Sequence, residues 1–168
     1  MRKINSLDHR IIHYSVENIF TVISDFNTYP KWFGKKVRVK VLKITEEKIG
    51  SLIQINVGLV KFFCEIVKIL PNKEIVVKYT GAYSGMGTWF FFKGTNGIKV
   101  IYEIDLTIRN PFIYILSYLI SLNRIHSKTM NDIFNNLEKY LSQRFNAKLN
   151  GIRNSSNSQP KIFTLPSN

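Results

Sequence analysis

The sequence predicts an α+β fold in which a curved antiparallel sheet is closed by one long C-terminal helix, with an apolar cavity between them. Three observations predict it. Upstream of Pro111 the chain is mostly short runs of period-two alternation, separated by Gly, Pro and Asn turns. From Asn110 to Phe145 no Gly or Pro interrupts the run after Pro111, and Leu119, Leu122, Met130, Ile133, Leu137 and Leu141 recur on one helical stripe. Two polar residues, Asn123 and His126, fall on that same stripe. A polar group facing a core needs a partner, so something polar should meet them.

Taken in order, residues 1–9 read as a lead and Arg10–Tyr14 as a short first strand. Ser15 caps a helix over SVENIFTVISD, and Val16, Ile19, Phe20 and Ile23 form its apolar face. Asp25-Phe26-Asn27 ends that helix, and Thr28 to Phe33 adds a very short helical turn that Gly34 releases. Period two then takes over. Val37, Val39 and Val41 alternate with Arg38 and Lys40, and Ile53, Ile55 and Val57 alternate with Gln54 and Asn56. Lys61–Leu70 is a strand too apolar for its facing to be settled. Pro71-Asn72-Lys73 turns the chain into a strand over Glu74–Thr80, and Gly81, Gly85 and Gly87 mark a loose connection. Gly87–Lys93 is the next strand, Gly94-Thr95-Asn96-Gly97 a hairpin turn, and Ile98–Arg109 the last strand. Short connections between consecutive strands imply antiparallel pairing. After Phe145 the composition turns polar and Ser/Asn-rich with two prolines, so residues 146–168 read as a flexible tail behind a domain over 10–145.

Composition narrows the function. At 168 residues, 45% hydrophobic and 13% aromatic, the chain is one domain with a real core. Its single cysteine, Cys64, excludes an internal disulfide and fits a reducing compartment. MRKINSLDHR has no apolar run of the signal-peptide kind, and Phe112–Leu122 is shorter than the ~20 residues that cross a bilayer, so a cytoplasmic protein is expected. No G-x-S-x-G, P-loop or G-x-G-x-x-G occurs, and His9, His13, His126 and Cys64 lack metal-ligand spacing; neither cofactor nor metal is expected. Glu103 and Asp105 resemble an acid–base pair, but alternation sets them opposite Tyr102, Ile104 and Leu106, on the solvent side, which argues against an enzyme.

The net charge of +13 favours RNA, anionic lipid or an acidic partner, although charges spread along the chain also make an ordinary solvated surface. Lys35, Lys36, Arg38, Lys40 and Lys43 concentrate on one strand and its approach, where they would track phosphates or simply protect a sheet edge. The aromatic interleaving of a single-strand RNA platform is missing there.

The lettering S-D-F-N-T-Y-P-K-W at Ser24 to Trp32 resembles the START-like superfamily, the polyketide cyclase/dehydrase and lipid-transport group. The resemblance continues through Gly81-Ala82-Tyr83, Gly87-Thr88-Trp89 and the final strand-to-helix connection, spanning roughly Arg10 to Phe145. Within the group the chain looks closest to the coenzyme Q-binding and ribosome-association-toxin branch. The resemblance implies a helix-grip fold, a seven-stranded sheet wrapped around the last helix. It implies no single ligand, since members bind lipids, quinones, polyketides and hormones, and only some are enzymes.

The aromatics Trp32, Tyr79, Trp89, Phe91 and Tyr102 are candidate lining residues, with Leu119, Asn123, His126 and Met130 from the long helix. Core packing explains any one aromatic; together they suit an apolar, ring-accepting pocket with few polar groups. His126 is the candidate to orient a ligand carbonyl or hydroxyl, against the simpler account of a histidine satisfied within the protein. The expectation is a module that binds a small hydrophobic molecule. A cyclase using the same cavity, and a ribosome- or RNA-associated regulator acting through Lys36, Arg38, Lys40 and Lys43, are the alternatives.

Overall fold

The computed structural model describes residues 2–146; the tail expected over 146–168 lies, but for Asn146, outside them. Strand β1 (Lys3–Ile12) begins at Lys3 rather than Arg10 and stops before Tyr14. Most of the expected lead is therefore strand, paired residue by residue with the last strand from Lys3↔Thr107 to Ile12↔Ile98. Its alternation is hidden because polar side chains hold inner positions. Ile4, Ser6, Asp8, Arg10 and Ile12 face inward, while Lys3, Asn5, Leu7, His9 and Ile11 are exposed.

Helix α1 (Val16–Ile23) follows, its Ser15 Oγ accepting the Asn18 N–H at 3.2 Å. Asp25 caps a 3₁₀ turn (Phe26–Thr28) in the same way, and α2 (Tyr29–Trp32) completes the excursion. The Tyr29 hydroxyl donates to the Ile23 carbonyl at 2.7 Å and the Trp32 indole N–H to Thr28 Oγ1 at 3.0 Å, so this compact turn buries its polar groups fully paired. Gly34 leaves it at φ 86°, a value that favours glycine.

Six strands then run as a meander: β2 (Val37–Lys43), β3 (Leu52–Val57), β4 (Val60–Leu70), β5 (Glu74–Gly81), β6 (Tyr83–Gly94) and β7 (Gly97–Ile108). With β1 they make one curved seven-stranded antiparallel sheet in the order β1-β7-β6-β5-β4-β3-β2. The loose connection expected around Gly81, Gly85 and Gly87 is instead strand from Tyr83 onward, broken only at Ala82. Gly85 stands at φ 152° in register with Leu106, and a Cβ there would strike the Asp105 carbonyl. Gly81 and Gly85 mark close backbone approach within the sheet, and Gly87 makes room for the Tyr79 and Tyr102 side chains, uses that look like a loop signal in sequence.

The single helix expected from Asn110 to Phe145 is two helices, α3 (Pro111–Leu116) and α4 (Leu122–Leu141), followed by one π-type turn over Ser142–Asn146. Asn110 caps α3 as expected, accepting from Phe112 and Ile113. The interruption needs neither Gly nor Pro. Ser117 donates to the Tyr114 carbonyl at 2.6 Å, and Ser121 becomes an N-cap whose hydroxyl accepts from Arg124. Serine hydroxyls competing for backbone groups end one helix and start the next. From Met130 on, α4 buries Met130, Ile133, Phe134, Leu137 and Leu141 against the concave face of the sheet.

Candidate functional site

Between α4, α2 and the inner faces of the sheet lies a cavity of about 140 Å³. Its inner wall is set by strand alternation: Ile55 on β3, Phe62 and Cys64 on β4, Val77 and Tyr79 on β5, Trp89 on β6, and Tyr102 and Ile104 on β7 are all buried. The rim is formed by the half-buried Phe33, Val57, Tyr83, His126 and Thr129, with Leu122 and the more exposed Ile125 on the first turn of α4. The enclosed part accommodates one aromatic ring, comparable to engineered cavities that bind benzene, and the cavity opens at the rim beside Leu122 and Ile125, where a second fused ring can extend.

The polar atoms inside are few. The Tyr79 and Tyr102 hydroxyls share a short hydrogen bond, and the Cys64 thiol neighbours Tyr79 across the β4–β5 ladder. Gly87 makes this pair possible, since a Cβ at that position would come within 2.5 Å of the Tyr102 oxygen. Burial pushes the hydroxyls of Tyr29, Tyr79 and Tyr102 and the Cys64 thiol well above their ordinary values. All four stay protonated at neutral pH. Two hydroxyls sharing one hydrogen bond keep one O–H to give, so the wall offers a neutral donor and no fixed charge.

At the rim, His126 Nδ1 lies 3.1 Å from Asp8 Oδ2, and its ring sits over Tyr102 with centroids 6.3 Å apart. Ser6 donates to the same carboxylate oxygen at 2.9 Å and lies 3.1 Å from Ser127 Oγ. With Asp8 ionised, the contact puts a proton on Nδ1 and leaves Nε2 as the acceptor of a neutral ring. Burial alone would raise the Asp8 carboxyl, but hydrogen bonds from His126, Ser127 and Ser6, with the charge of His126, outweigh it and hold the carboxyl below its ordinary 3.8. A lowered carboxyl stabilises the fold at pH above its unfolded value and loses that contribution as pH falls through the folded value. Asp8→Asn should therefore be less stable than the wild type at neutral pH, and the gap should close as the pH falls below 3.8. Melting curves across the acid range check this; a gap independent of pH would mean that the carboxylate charge contributes nothing.

Of the residues expected on the ligand, Tyr79, Trp89, Tyr102, His126 and Met130 line the cavity. Trp32 and Phe91 do not. Trp32 belongs to α2 and is wholly buried beside Tyr29 and Phe33, and Phe91 meets Phe20 edge-on at 5.5 Å because α1 covers that part of the sheet. Leu119 is 81% exposed in the turn between α3 and α4. Asn123 is exposed on the first turn of α4, where it borders a small polar crevice with Arg2, Lys3 and Ser121. The restart of the helix at Ser121 displaces both from the stripe on which an uninterrupted helix would have set them. Tyr29, Phe62 and Cys64 were missed as lining residues; the last two were within reach, because Lys61 and Glu65 mark the outward phase of β4 and so turn Phe62 and Cys64 inward. Asp8 was missed because its strand carries no apolar alternation.

Lys36 pairs with Asp132 at 3.2 Å, while Arg38, Lys40 and Lys43 stand exposed on β2, the edge strand of the sheet. That is where charges hinder edge-to-edge pairing.

Residues 12–120 match the family model described as polyketide cyclase / dehydrase and lipid transport. No curated protein matches the chain. Among solved structures, the KanY protein superposes with a TM-score of 0.67 at 13% identity, covering 84% of this chain and 99% of that one. A START superfamily protein from Mycobacterium smegmatis gives 0.61 at 14% identity, with 84% and 97% covered. The di-domain ARO/CYC StfQ from the steffimycin biosynthetic pathway gives 0.65 at 15% identity, covering 84% of this chain and 51% of its own length. At these identities the likeness is one of fold, the helix-grip fold of START-like proteins.

Proposed function

The chain belongs to the polyketide cyclase / dehydrase and lipid transport family, and from this we propose that it binds a small, neutral, ring-bearing apolar molecule in the cavity under α4. The observation that carries this reading is the character of the wall: aromatic and aliphatic throughout, with one shared tyrosine hydroxyl pair deep inside and an aspartate-held imidazole at the rim. Water leaves the apolar surface when the ligand enters, which supplies the affinity. The hydroxyl pair and His126 Nε2 then fix orientation, one as donor and the other as acceptor or, when protonated, donor. A ring with oxygen at opposite ends, as in a quinone, suits that arrangement, and the likeness of the sequence to the coenzyme Q-binding branch supports the same class. A longer tail would leave past Leu122 and Ile125.

A second reading has its own observation. The Asp8–His126 contact is the arrangement that makes an imidazole a positioned base, so the same cavity would serve acid–base chemistry of the cyclase kind.

The test is titration with a simple naphthoquinone and with naphthalene, followed through quenching of the tryptophans, one of which, Trp89, forms part of the wall. Both should bind the wild type. Tyr102→Phe removes one oxygen and leaves the ring, so naphthalene binding should hold while quinone binding falls by up to roughly ten-fold, the worth of about 0.5–1.5 kcal/mol for one hydrogen bond. His126→Leu is a poorer probe, since it strands Asp8 in a half-buried site and costs stability as well. Failure of the wild type to bind either compound would sink the reading, and equal effects on both would remove the hydroxyl from it.

A further inference from the structure

Helix α3 and the turn after it are apolar on both sides. Ile113 and Ser117 are buried at 3% and 1% exposure, yet Phe112, Ile115, Tyr118 and Leu119 on the other side stand 66% to 81% exposed. From Pro111 to Ile120 there is no charged residue. Single exposed apolar side chains are ordinary on a protein surface; a contiguous set on one short helix and its turn marks a surface that something covers.

The charges around this face select what covers it. No Asp or Glu occurs between Asp105 and Asp132, while Arg109, Arg124 and Lys128 fall in that interval. The Arg2 guanidinium lies over the Tyr118 ring, 4.7 Å from its centroid, so a cation sits directly against the apolar patch. Arg124 is exposed next to the exposed Ile125. A second copy of the chain meeting this face about a two-fold axis would bring the same cations together, which is unfavourable. A nucleic acid would satisfy the cations but leave Phe112, Ile115 and Leu119 in water.

We propose that this face docks on the surface of an anionic phospholipid bilayer. Phe112, Ile115 and Leu119 enter the boundary between headgroups and acyl chains, while Arg2, Arg124 and Lys128 meet the lipid charges. The net charge of +13 adds long-range attraction to the same surface. No helix among the described residues is long and apolar enough to cross a membrane, so the contact is peripheral. It stands independently of the cavity reading, although Leu122 and Ile125 at the cavity rim lie beside the docked face.

The experiment is flotation of the full chain with vesicles of phosphatidylcholine alone and of phosphatidylcholine with phosphatidylserine. The wild type should float with the anionic vesicles, release as salt is raised, and stay behind with the neutral ones. Phe112→Ser with Leu119→Ser should weaken binding at least ten-fold with an unchanged melting midpoint, because both side chains are already in water. Arg124→Glu with Lys128→Glu should weaken it several-fold. The proposal is overturned if the wild type does not float with anionic vesicles, or if the double serine variant floats as well as the wild type. It is equally overturned if sedimentation shows a dimer that the double serine variant dissolves, since the face would then be a self-interface.

Discussion

Leu137→Ala is expected to lower the free energy of unfolding by about 2–5 kcal/mol. Leu137 has no exposed surface and sits midway along the buried stripe of α4, between Ile133 and Leu141. Truncation removes the transfer free energy of its methyl groups and leaves a void that the sheet beneath cannot readily collapse to fill. Leu119→Ala is the matched control. Sequence periodicity puts both leucines on one stripe, but Leu119 is 81% exposed, and its truncation should change stability by no more than about 0.5 kcal/mol. Urea unfolding with the slope held constant reports both numbers. Similar losses at the two positions would show that the helix is not interrupted at Ser121.

Gly85→Ala is expected to cost about 3 kcal/mol, since overpacking and backbone strain each contribute on the order of 1–3 kcal/mol. The position needs glycine twice over. Its φ of 152° is one that side-chain-bearing residues rarely adopt, and the added carbon would meet backbone rather than a side chain that can swing away. Relief requires β6 to move from β7, and those strands carry Trp89 and Tyr102 in register with each other, with Gly87 beside the tyrosine pair. The substitution should therefore also loosen the cavity wall and weaken naphthoquinone binding. An unfolding midpoint within experimental error of the wild type would mean that the pairing at Asp105 and Leu106 yields at no cost.

How much was legible depended on where polar residues stood. Strand β7 could be read position by position because its buried Tyr102, Ile104 and Leu106 alternate with the exposed Glu103 and Asp105. Strand β1 obeys the same period with Ser6, Asp8 and Arg10 inside, and hydropathy is blind to that. Those inner polar groups find partners across the fold, Asp8 in His126 and Arg10 in Asn131 at 2.6 Å, and Ser6 adds a local hydrogen bond to Asp8. The partner that holds His126 at the rim thus came from a strand whose alternation no pattern of hydrophobicity displays.

The sequence by itself determined the class, the strand order in the chain, the antiparallel meander and the buried stripe from Met130 to Leu141, because these follow from local periodicity and short connections. It also carried the family resemblance through Ser24 to Trp32. Tertiary structure alone decided which aromatics face the cavity and which pack under α1 and α2, since all of them are equally apolar. It decided that Gly81, Gly85 and Gly87 stand within the sheet, two against a neighbouring backbone and one against the tyrosine pair, and that two serines divide the long helix in two. It decided, finally, that His126 has a partner, because residues 118 positions apart meet only when β1 and α4 close on each other.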